Sequence, residues 1–462
     1  MNTPKKVGMI SLGCAKNLVD SEVMLGMLKK DGYEIEPREN AADILIVNTC
    51  AFIDASENES RQSIQDVCEK NPGKKIFVTG CLVQKFKEKL EDDFPQVQAF
   101  LGSGEFYKLP KLLQNIYETK ENPTESFKRT DAGIPLYVYD ENTPRVLSTP
   151  SHTAYIKISE GCNNPCTFCI IPKLRGKHRS RTIESLVNEA RNLAEQGVKE
   201  INLIGQDTTY YGKDLYGEFK LRGLLRQLCA VDGINWVRLL YTYPLHFSDD
   251  MLNIFSENEK LCAYVDMPMQ HSHPEILTRM GREGSYESGM KILKRLREIN
   301  PMICFRTTFI AGFPGETEKH FKHLKNFARA IQFDKVGVFQ YSHERQAASA
   351  DYSERVPKEI IEERYHELMT LQQKISRKKN NTLIGKTFDV LIEGKKEDVF
   401  YGRSYREAPE IDGLVFVQSN GNGGNLQGAA RRNTSSLKLG TGSFVPVKIH
   451  AAFEYDLMGK TI

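Results

Sequence analysis

Three cysteines, Cys162, Cys166 and Cys169, lie within the stretch SEGCNNPCTFCIIP with the spacing C-x3-C-x2-C. Thiolates this close together can hold three irons of a 4Fe-4S cube and leave the fourth iron without a protein ligand. A cluster that only carries electrons normally has four protein thiolates. An open iron can instead bind a substrate, by the logic that separates catalytic from structural metal sites. Two other uses of these thiols compete. A disulfide framework suits poorly a chain of 462 residues with only 10 cysteines and a first segment, MNTPKKVGMI, lacking a secretory pattern. A structural zinc site would want a fourth Cys or His at short spacing, and only His178 is near.

With Phe168 just before the third cysteine, the motif resembles that of the radical S-adenosylmethionine (SAM) enzymes. The resemblance implies that the open iron chelates the amino and carboxylate groups of SAM. It also implies reductive cleavage of the sulfonium, giving a 5′-deoxyadenosyl radical that takes hydrogen from an unactivated carbon.

The elements that must position this chemistry fall into three regions. In the first, residues 5–117, KVGMISLG, ADILIVNT and KKIFVTG read as buried strands. They alternate with LVDSEVMLGMLKKDGY, an expected amphipathic helix closed by Gly32, and with SENESRQSIQDVCEK. Strands alternating with helices imply an open parallel α/β sheet. Cys14, Cys50 and Cys81 each stand at or just past a strand end, where ligand sites of such sheets lie. Three cysteines far apart in sequence would then meet in one crevice, as ligands of a second three-thiolate cluster or as unrelated buried thiols. Cys68 sits inside a helix stretch and reads as core. SLGCAKNLVDSE, VNTCAFIDASENES and TGCLVQ resemble the amino-terminal domain of the methylthiotransferases. That resemblance implies an auxiliary 4Fe-4S cluster on Cys14, Cys50 and Cys81, with Ala15 in place of the family's usual proline.

Residues 118–150, rich in Pro, Thr and charge, read as a linker. Residues 151–380 alternate again, with AYIKIS, EINLIG, WVRLLY, AYVDMPM, CFRTTFIAG and KVGVFQ as strands of a partial (β/α)6 barrel. Such barrels carry chemistry at the carboxyl ends of their strands, and the cysteine motif follows the first of them. By position, Gly205, Gln206 and Asp207 correspond to the family segment near the SAM amino group, although a polar strand terminus is also an ordinary loop start. Gln270 and His271 end another strand, where a rim residue can touch SAM or substrate or merely cap a helix. Gly312, Gly315 and Glu316 correspond to a family segment near the two ends of SAM; a Gly-Pro turn before a helix would look the same. Cys229, Cys262 and Cys304 read as core. The basic run Lys173 to Arg181, KLRGKHRSR, reads as a patch steering an acidic or nucleic-acid substrate, as a solvated loop before Thr182, or as a contact to the SAM carboxylate.

The last region, bounded at 381–452, is strand-rich and suggests a small antiparallel barrel. Its pattern GRSYREAPEIDGLVFV resembles a TRAM domain, and SNGNGGNLQGAARRNTSSLKLGTG between its strands reads as a mobile loop.

Together the motifs resemble the methylthiotransferase family of radical SAM enzymes, RimO type. The resemblance implies two 4Fe-4S clusters, SAM as radical source and methyl donor, and methylthiolation at the β-carbon of an aspartate in small-subunit ribosomal protein S-twelve. A low-potential reductase such as flavodoxin or ferredoxin and a sulfur donor are the other implied partners. The alternative is the tRNA adenosine branch. Formal net charge is only +3, and residues 383–462 carry 10 Lys+Arg against 9 Asp+Glu, little for a module gripping phosphates. Glu407, Glu410 and Asp412 would instead complement a basic protein. No apolar run reaches the roughly 18 residues of a membrane span, and reduced cysteines fit the cytoplasm.

Overall fold

The computed structural model describes residues 5–118, 129–397, 399–418 and 439–462. The first region builds a parallel sheet from β1 (Lys6–Ser11), β2 (Glu34–Ile35), β3 (Ile44–Thr49), β4 (Lys75–Gly80), β5 (Ala99–Gly102) and β6 (Thr130–Asp131), ordered β2-β1-β3-β4-β5-β6. Every residue of β3 is buried, as an inner parallel strand covered on both faces requires. Because β1, β3 and β4 are neighbours, the chain segments leaving their carboxyl ends lie side by side.

The helix Ala15–Lys30 departs from the amphipathic expectation. It is buried almost all round, and Lys16, Asn17, Asp20, Ser21 and Glu22 are among its buried residues. Lys16, Asn17 and Asp20 meet partners in the neighbouring barrel, Ser21 bonds to Ser11 and Asn48, and Glu22 bonds to Arg145 and Ser148. The helix also packs tightly on the stretch expected to link the two regions, part of which supplies β6 while Arg145 pairs with both Glu22 (2.6 Å) and Glu189 (2.8 Å). A Cβ on Gly26 would stand 2.2 Å from the Pro144 carbonyl oxygen. Helix propensity alone would make Gly26→Ala stabilising by about 1 kcal/mol. The backbone clash outweighs this, so the variant should lose about 1–3 kcal/mol of stability, read as a lower unfolding temperature.

The second region forms β7 (Thr153–Lys157), the short hairpin β8 (Ser159–Glu160) and β9 (Arg179–Ser180), then β10 (Glu200–Ile204), β11 (Trp236–Leu239), β12 (Tyr264–Asp266), β13 (Cys304–Ala311) and β14 (Lys335–Gln340). Strands β7, β10 and β11 pair in parallel, as do β12, β13 and β14, and a parallel bridge between Val237 and Leu261 joins the two sheets. The result is a partial six-stranded α/β barrel with its helices outside. Cys229, Cys262 and Cys304 are buried in it.

The third region closes a five-stranded barrel, β15 (Thr387–Lys396), β16 (Val399–Arg403), β17 (Val415–Gln418), β18 (Phe444–Ala452) and β19 (Leu457–Thr461). Its last strand lies beyond the boundary at 452 expected from sequence, and without it the barrel would stand open. All pairs are antiparallel except β17 with β19, where the expectation of a fully antiparallel barrel fails. The reason is parity: a closed ring with an odd number of strands cannot alternate direction throughout. The expected mobile loop falls mainly on 419–438, outside the described residues.

Two members of the acidic run of this region turn inward, while Glu410 is exposed. Glu407 is buried, accepts from Ser404 Oγ at 2.6 Å and lies 3.6 Å from Lys335 Nζ. Asp412 accepts from Tyr264 Oη at 2.7 Å and stands 3.7 Å from Arg306 Nε. These carboxylates fasten the small barrel to the large one. Among the described residues no helix is long and apolar enough to cross a membrane.

Candidate metal centres at the strand ends

Cys162, Cys166 and Cys169 leave the hairpin strand β8 on a loop pinned from several sides. A Cβ on Gly161 (φ +80°) would stand 2.2 Å from the Lys177 carbonyl oxygen, so only glycine fits before the first cysteine. Backbone N–H groups of Asn164 and Ile171 donate to the Cys162 and Cys169 sulfurs, each at 3.4 Å. Thr167 N–H donates to Met280 O at 3.0 Å. The Phe168 ring packs with Ile276, Met280, Ile310 and Phe313, which anchors the loop to the far side of the barrel. Buried Arg282 donates to Cys166 Sγ at 3.6 Å and to Pro268 O at 2.6 Å.

Burial pushes the Cys162 thiol up to about 11, with the Asn164 N–H opposing it, and burial likewise raises Cys169. Thiols poised this way release protons when a metal binds. His178, the possible fourth ligand of a zinc site, instead sets its Nε2 3.1 Å from Ser180 Oγ. Among the described residues, the ligand atoms of His273, Glu275 and His320 lie within 4.8 Å of one another. Three thiols at this spacing, with His178 turned to Ser180, are a donor set that fits a 4Fe-4S cluster with one open iron better than a closed four-ligand zinc site.

The second trio stands at the ends of β1, β3 and β4. Cys14 caps the amino end of the helix Ala15–Lys30, and Cys81 opens the helix Cys81–Phe86 after Gly80 (φ +101°). A Cβ on Gly13 (φ +88°) would lie 2.8 Å from Cys50 Sγ, which measures how closely the first loop approaches the second cysteine. Cys50 is held through its backbone: its N–H donates to Ser60 Oγ at 3.0 Å, and Ser60 Oγ donates to its carbonyl at 2.6 Å.

The thiols also feel one another. Burial and then the charge of Cys14 raise Cys50; burial drives Cys81 up to about 12 despite Arg175. For Cys14 desolvation is outweighed by Lys16, Arg175 and the Asn17 and Lys16 N–H groups, which leave it below the usual thiol value. Cysteine side chains far apart in sequence thus share one pocket with a common cation.

That cation comes from the other region. Arg175 ends the helix Ile171–Arg175, which begins two residues after Cys169. It is buried, donates to Asp20 Oδ2 at 2.5 Å and to Asn17 Oδ1 at 2.7 Å, and so bridges the two cysteine loops. Lys157 adds to the same joint, donating at 2.5 Å to both Asp20 Oδ1 and Glu160 Oε2. The basic run 173–181 divides: Arg175, His178 and Arg181 are buried, while Lys173 and Lys177 are exposed.

The remaining candidates divide. Asp207 is buried and accepts from Thr209 N, Asn164 Nδ2 (2.8 Å) and His246 Nδ1 (2.9 Å); it orders the loop beside Cys162. Gln206 donates to Glu160 at 2.7 Å, and a Cβ on Gly205 would meet Ser159 Oγ at 2.8 Å. Gln270 takes the left-handed conformation (φ +68°), uncommon for a residue with a side chain, while bridging to the strand that bears Phe309.

Gly312, Gly315 and Glu316 find packing partners. Cβ atoms there would strike Ile361 at 2.3 Å and Arg279 at 2.7 Å. Glu316 accepts from Gly312 N–H and Arg364, and its other oxygen lies 3.3 Å from His271 Nε2. Arg175, Arg282, Asn164 and Ser60 were not found by sequence reasoning. Arg175 alone gave a signal, as part of the basic run, and that signal pointed outward.

The chain matches the uncharacterized protein family UPF0004 over residues 6–102, the radical SAM superfamily over 156–328 and the TRAM domain over 384–462. It is 44% identical over 460 residues to the ribosomal protein uS12 methylthiotransferase RimO of Desulforamulus reducens, covering 98% of this chain and 99% of that one. It is 42% identical to the protein of that name from a Thermoanaerobacter species, covering 99% of this chain and all of the relative. Among solved structures it resembles the radical SAM methyltransferase TsrM from Kitasatospora setae, with TM-score 0.53 and 16% identity over 73% of this chain and 72% of that one. That last likeness shows the fold. Near-complete coverage at such identity shows the family: this chain belongs to the RimO methylthiotransferases of the radical SAM superfamily.

Proposed function

We propose that this chain inserts a methylthio group at the β-carbon of an aspartate of ribosomal protein uS12, giving 3-methylthioaspartate. The reading draws on full-length kinship to enzymes named for that reaction. The observation that carries it is the pair of cysteine trios joined through Arg175 and Asp20. Radical formation alone needs one trio. A second trio is of use when sulfur must also be delivered.

Cys162, Cys166 and Cys169 would hold one 4Fe-4S cluster, and Cys14, Cys50 and Cys81 a second. When bound, these groups supply the electron that splits SAM and a site for the sulfur to be transferred. The protein's part is placement. The N–H groups at Asn164 and Ile171 and the Arg282 guanidinium donate to the first set of sulfurs, which favours their charged form. Arg175 performs the same office for the second. Phe168 keeps the first loop seated, and Gln206, Asp207 and Gln270 border the space where SAM would lie. Gly312, Gly315 and Glu316 hold the turn behind it. The further partners are a flavodoxin- or ferredoxin-like reductase and a sulfur donor, in the cytoplasm where ribosomal proteins are made.

Reduced protein carrying both clusters should form 5′-deoxyadenosine from SAM. Intact uS12 from cells carrying the gene should exceed that from a deletion strain by one methylthio substitution. Identical uS12 masses, with the substitution found on tRNA instead, would overturn the substrate assignment.

A further inference from the structure

Four of the chain's 10 histidines gather on one flank of the large barrel, beside the helix Pro274–Arg279, whose Ile276 packs with Phe168 of the first cysteine loop. His271 and His273 flank the start of the helix Pro274–Arg279, and His320 and His323 lie on the helix Glu318–Ile331. The His273 ring centroid stands 4.4 Å from that of His320 and 5.1 Å from that of His323. Imidazoles do not gather for packing alone when apolar side chains fill such space at lower cost. Ligand atoms of His273, Glu275 and His320 all lie within 4.8 Å of one another.

We propose that His273, Glu275 and His320 form a binding site for a divalent late first-row metal ion such as Zn2+. Two imidazoles and one carboxylate are ligands such ions accept, leaving a position for water or a fourth side chain. The surroundings match a ligand set in three further respects.

His273 Nδ1 is buried with no hydrogen-bond partner, a cost that coordination would remove. Glu275 is on the solvent side, with its side chain 61% exposed, so an ion can enter without the helices separating. His320 has the orienting partner that metal-bound histidines need. Its Nδ1 lies 3.2 Å from Gly315 O and 3.2 Å from the Thr317 N–H. With no ion, Nδ1 accepts from Thr317 and the Nε2 proton goes to Glu275 Oε2 at 3.1 Å. With an ion on Nε2, the proton moves to Nδ1 and is donated to the Gly315 carbonyl, the arrangement that fixes a ligating imidazole. Both tautomers have a waiting partner.

The site would also brace the barrel wall. The His273 N–H donates to His271 Nδ1 at 2.9 Å, and His271 in turn pairs with Glu316 of the turn that carries Gly312 and Gly315. A bound ion would therefore clamp Pro274–Arg279 and the start of Glu318–Ile331 to that turn.

The test uses tag-free protein with both clusters installed anaerobically, so that the six cysteines of the two trios are not free to take the probe; of the other four, Cys229, Cys262 and Cys304 are buried. After equilibration with Zn2+ alone and desalting, zinc and iron are counted together. One zinc per chain is expected, with iron unchanged. His273→Ala and His320→Ala should each reduce zinc to background at unchanged iron and unchanged 5′-deoxyadenosine formation. Glu275→Gln, an exposed change that keeps the fold, should weaken zinc binding about tenfold or more. Amide exchange in residues 274–279 and 315–323 should slow on zinc addition in the parent chain only. Absence of bound zinc in the parent, or parental zinc affinity in either Glu275→Gln or the His273→Ala/His320→Ala double variant, would overturn the proposal.

Discussion

Replacing Cys14, Cys50 and Cys81 together with alanine should leave 5′-deoxyadenosine formation close to that of the parent while reducing methylthiolated uS12 to background. The structural ground is that the barrel interior has a core of its own, although Ile170 and Leu174 beside the first trio reach into the cluster that holds Cys81. Cys81 packs with Val47, Val78 and Leu82, whereas the barrel interior is built from Ile156, Leu203, Val237 and Phe309. The joint between them rests on Asp20, Lys157, Glu160 and Arg175, none of which is altered. The ligands lost are small and lie at strand ends, so the cavities created are minor beside the core. The converse change, Cys162, Cys166 and Cys169 to alanine, should abolish both products. Chromatographic assay of 5′-deoxyadenosine beside intact-mass analysis of uS12 separates the outcomes. Methylthiolated product from the Cys14/Cys50/Cys81 variant would show that the second trio does not deliver sulfur. Loss of both products would show instead that the trios act as one unit.

Arg175 sharpens that expectation. Arg175→Met keeps the apolar stem and removes the charge between the trios, leaving Asp20 facing Lys157 alone. The second cluster should then become harder to reduce, since a buried positive charge favours the more negative, reduced state. A redox titration followed by electron paramagnetic resonance reads the shift directly. An unchanged potential would mean that Arg175 serves only the joint.

Cysteine positions and strand order could be read from the chain because both depend on local signals. Buried parallel strands are apolar runs, and a thiol just past such a run has one predictable place. Charged residues carry no comparable signal. Asp20 and Glu22 look like the solvent side of a helix, Arg175 like part of a basic loop, and Glu407 and Asp412 like an acidic surface. Each is inside because its partner, remote in sequence, is inside with it: Lys157 for Asp20, Arg145 for Glu22, Lys335 for Glu407, Arg306 for Asp412. The same reason hid the role of SLGCAKNLVDSE, whose polar residues dock the helix onto the barrel. The glycines at 312 and 315 have protein neighbours that the sequence did not indicate. Both take positive φ, and within the protein Ile361 crowds the first and Arg279 the second. The histidine cluster was invisible for yet another reason, since its two halves, around Glu275 and around His320, lie 45 residues apart.

Glu200→Gln should loosen the carboxyl-terminal barrel from the radical barrel by about 3–5 kcal/mol, the cost of removing one partner from a buried ion pair. Glu200 is fully buried on β10 and accepts from Arg238 Nε at 2.9 Å and from Arg403 Nη2 at 2.5 Å. Arg238 reaches on to the Tyr405 carbonyl at 2.6 Å, and Arg403 to Glu393 at 2.7 Å, so one carboxylate anchors two guanidinium groups across the domain boundary. Glutamine keeps the shape and some of the hydrogen bonds but leaves both cations buried with too little negative charge. Burial by itself would raise the Glu200 carboxyl; Arg403 and Arg238 overcome it and hold it at about 2, below its ordinary 4.5. A depressed carboxylate stabilises fully above its unfolded value and loses that contribution as pH falls toward the folded one. The joint should therefore weaken between pH 4.5 and about 2 in the parent, and over that interval the difference between parent and Glu200→Gln should shrink. Amide exchange of β15 to β18 against pH measures both effects. Asp66→Asn, which removes an exposed helical ion pair, is the control and should change neither. Equal protection of these strands in parent and Glu200→Gln at neutral pH would mean that apolar contacts such as Trp236 with Phe444 carry the joint without the charges.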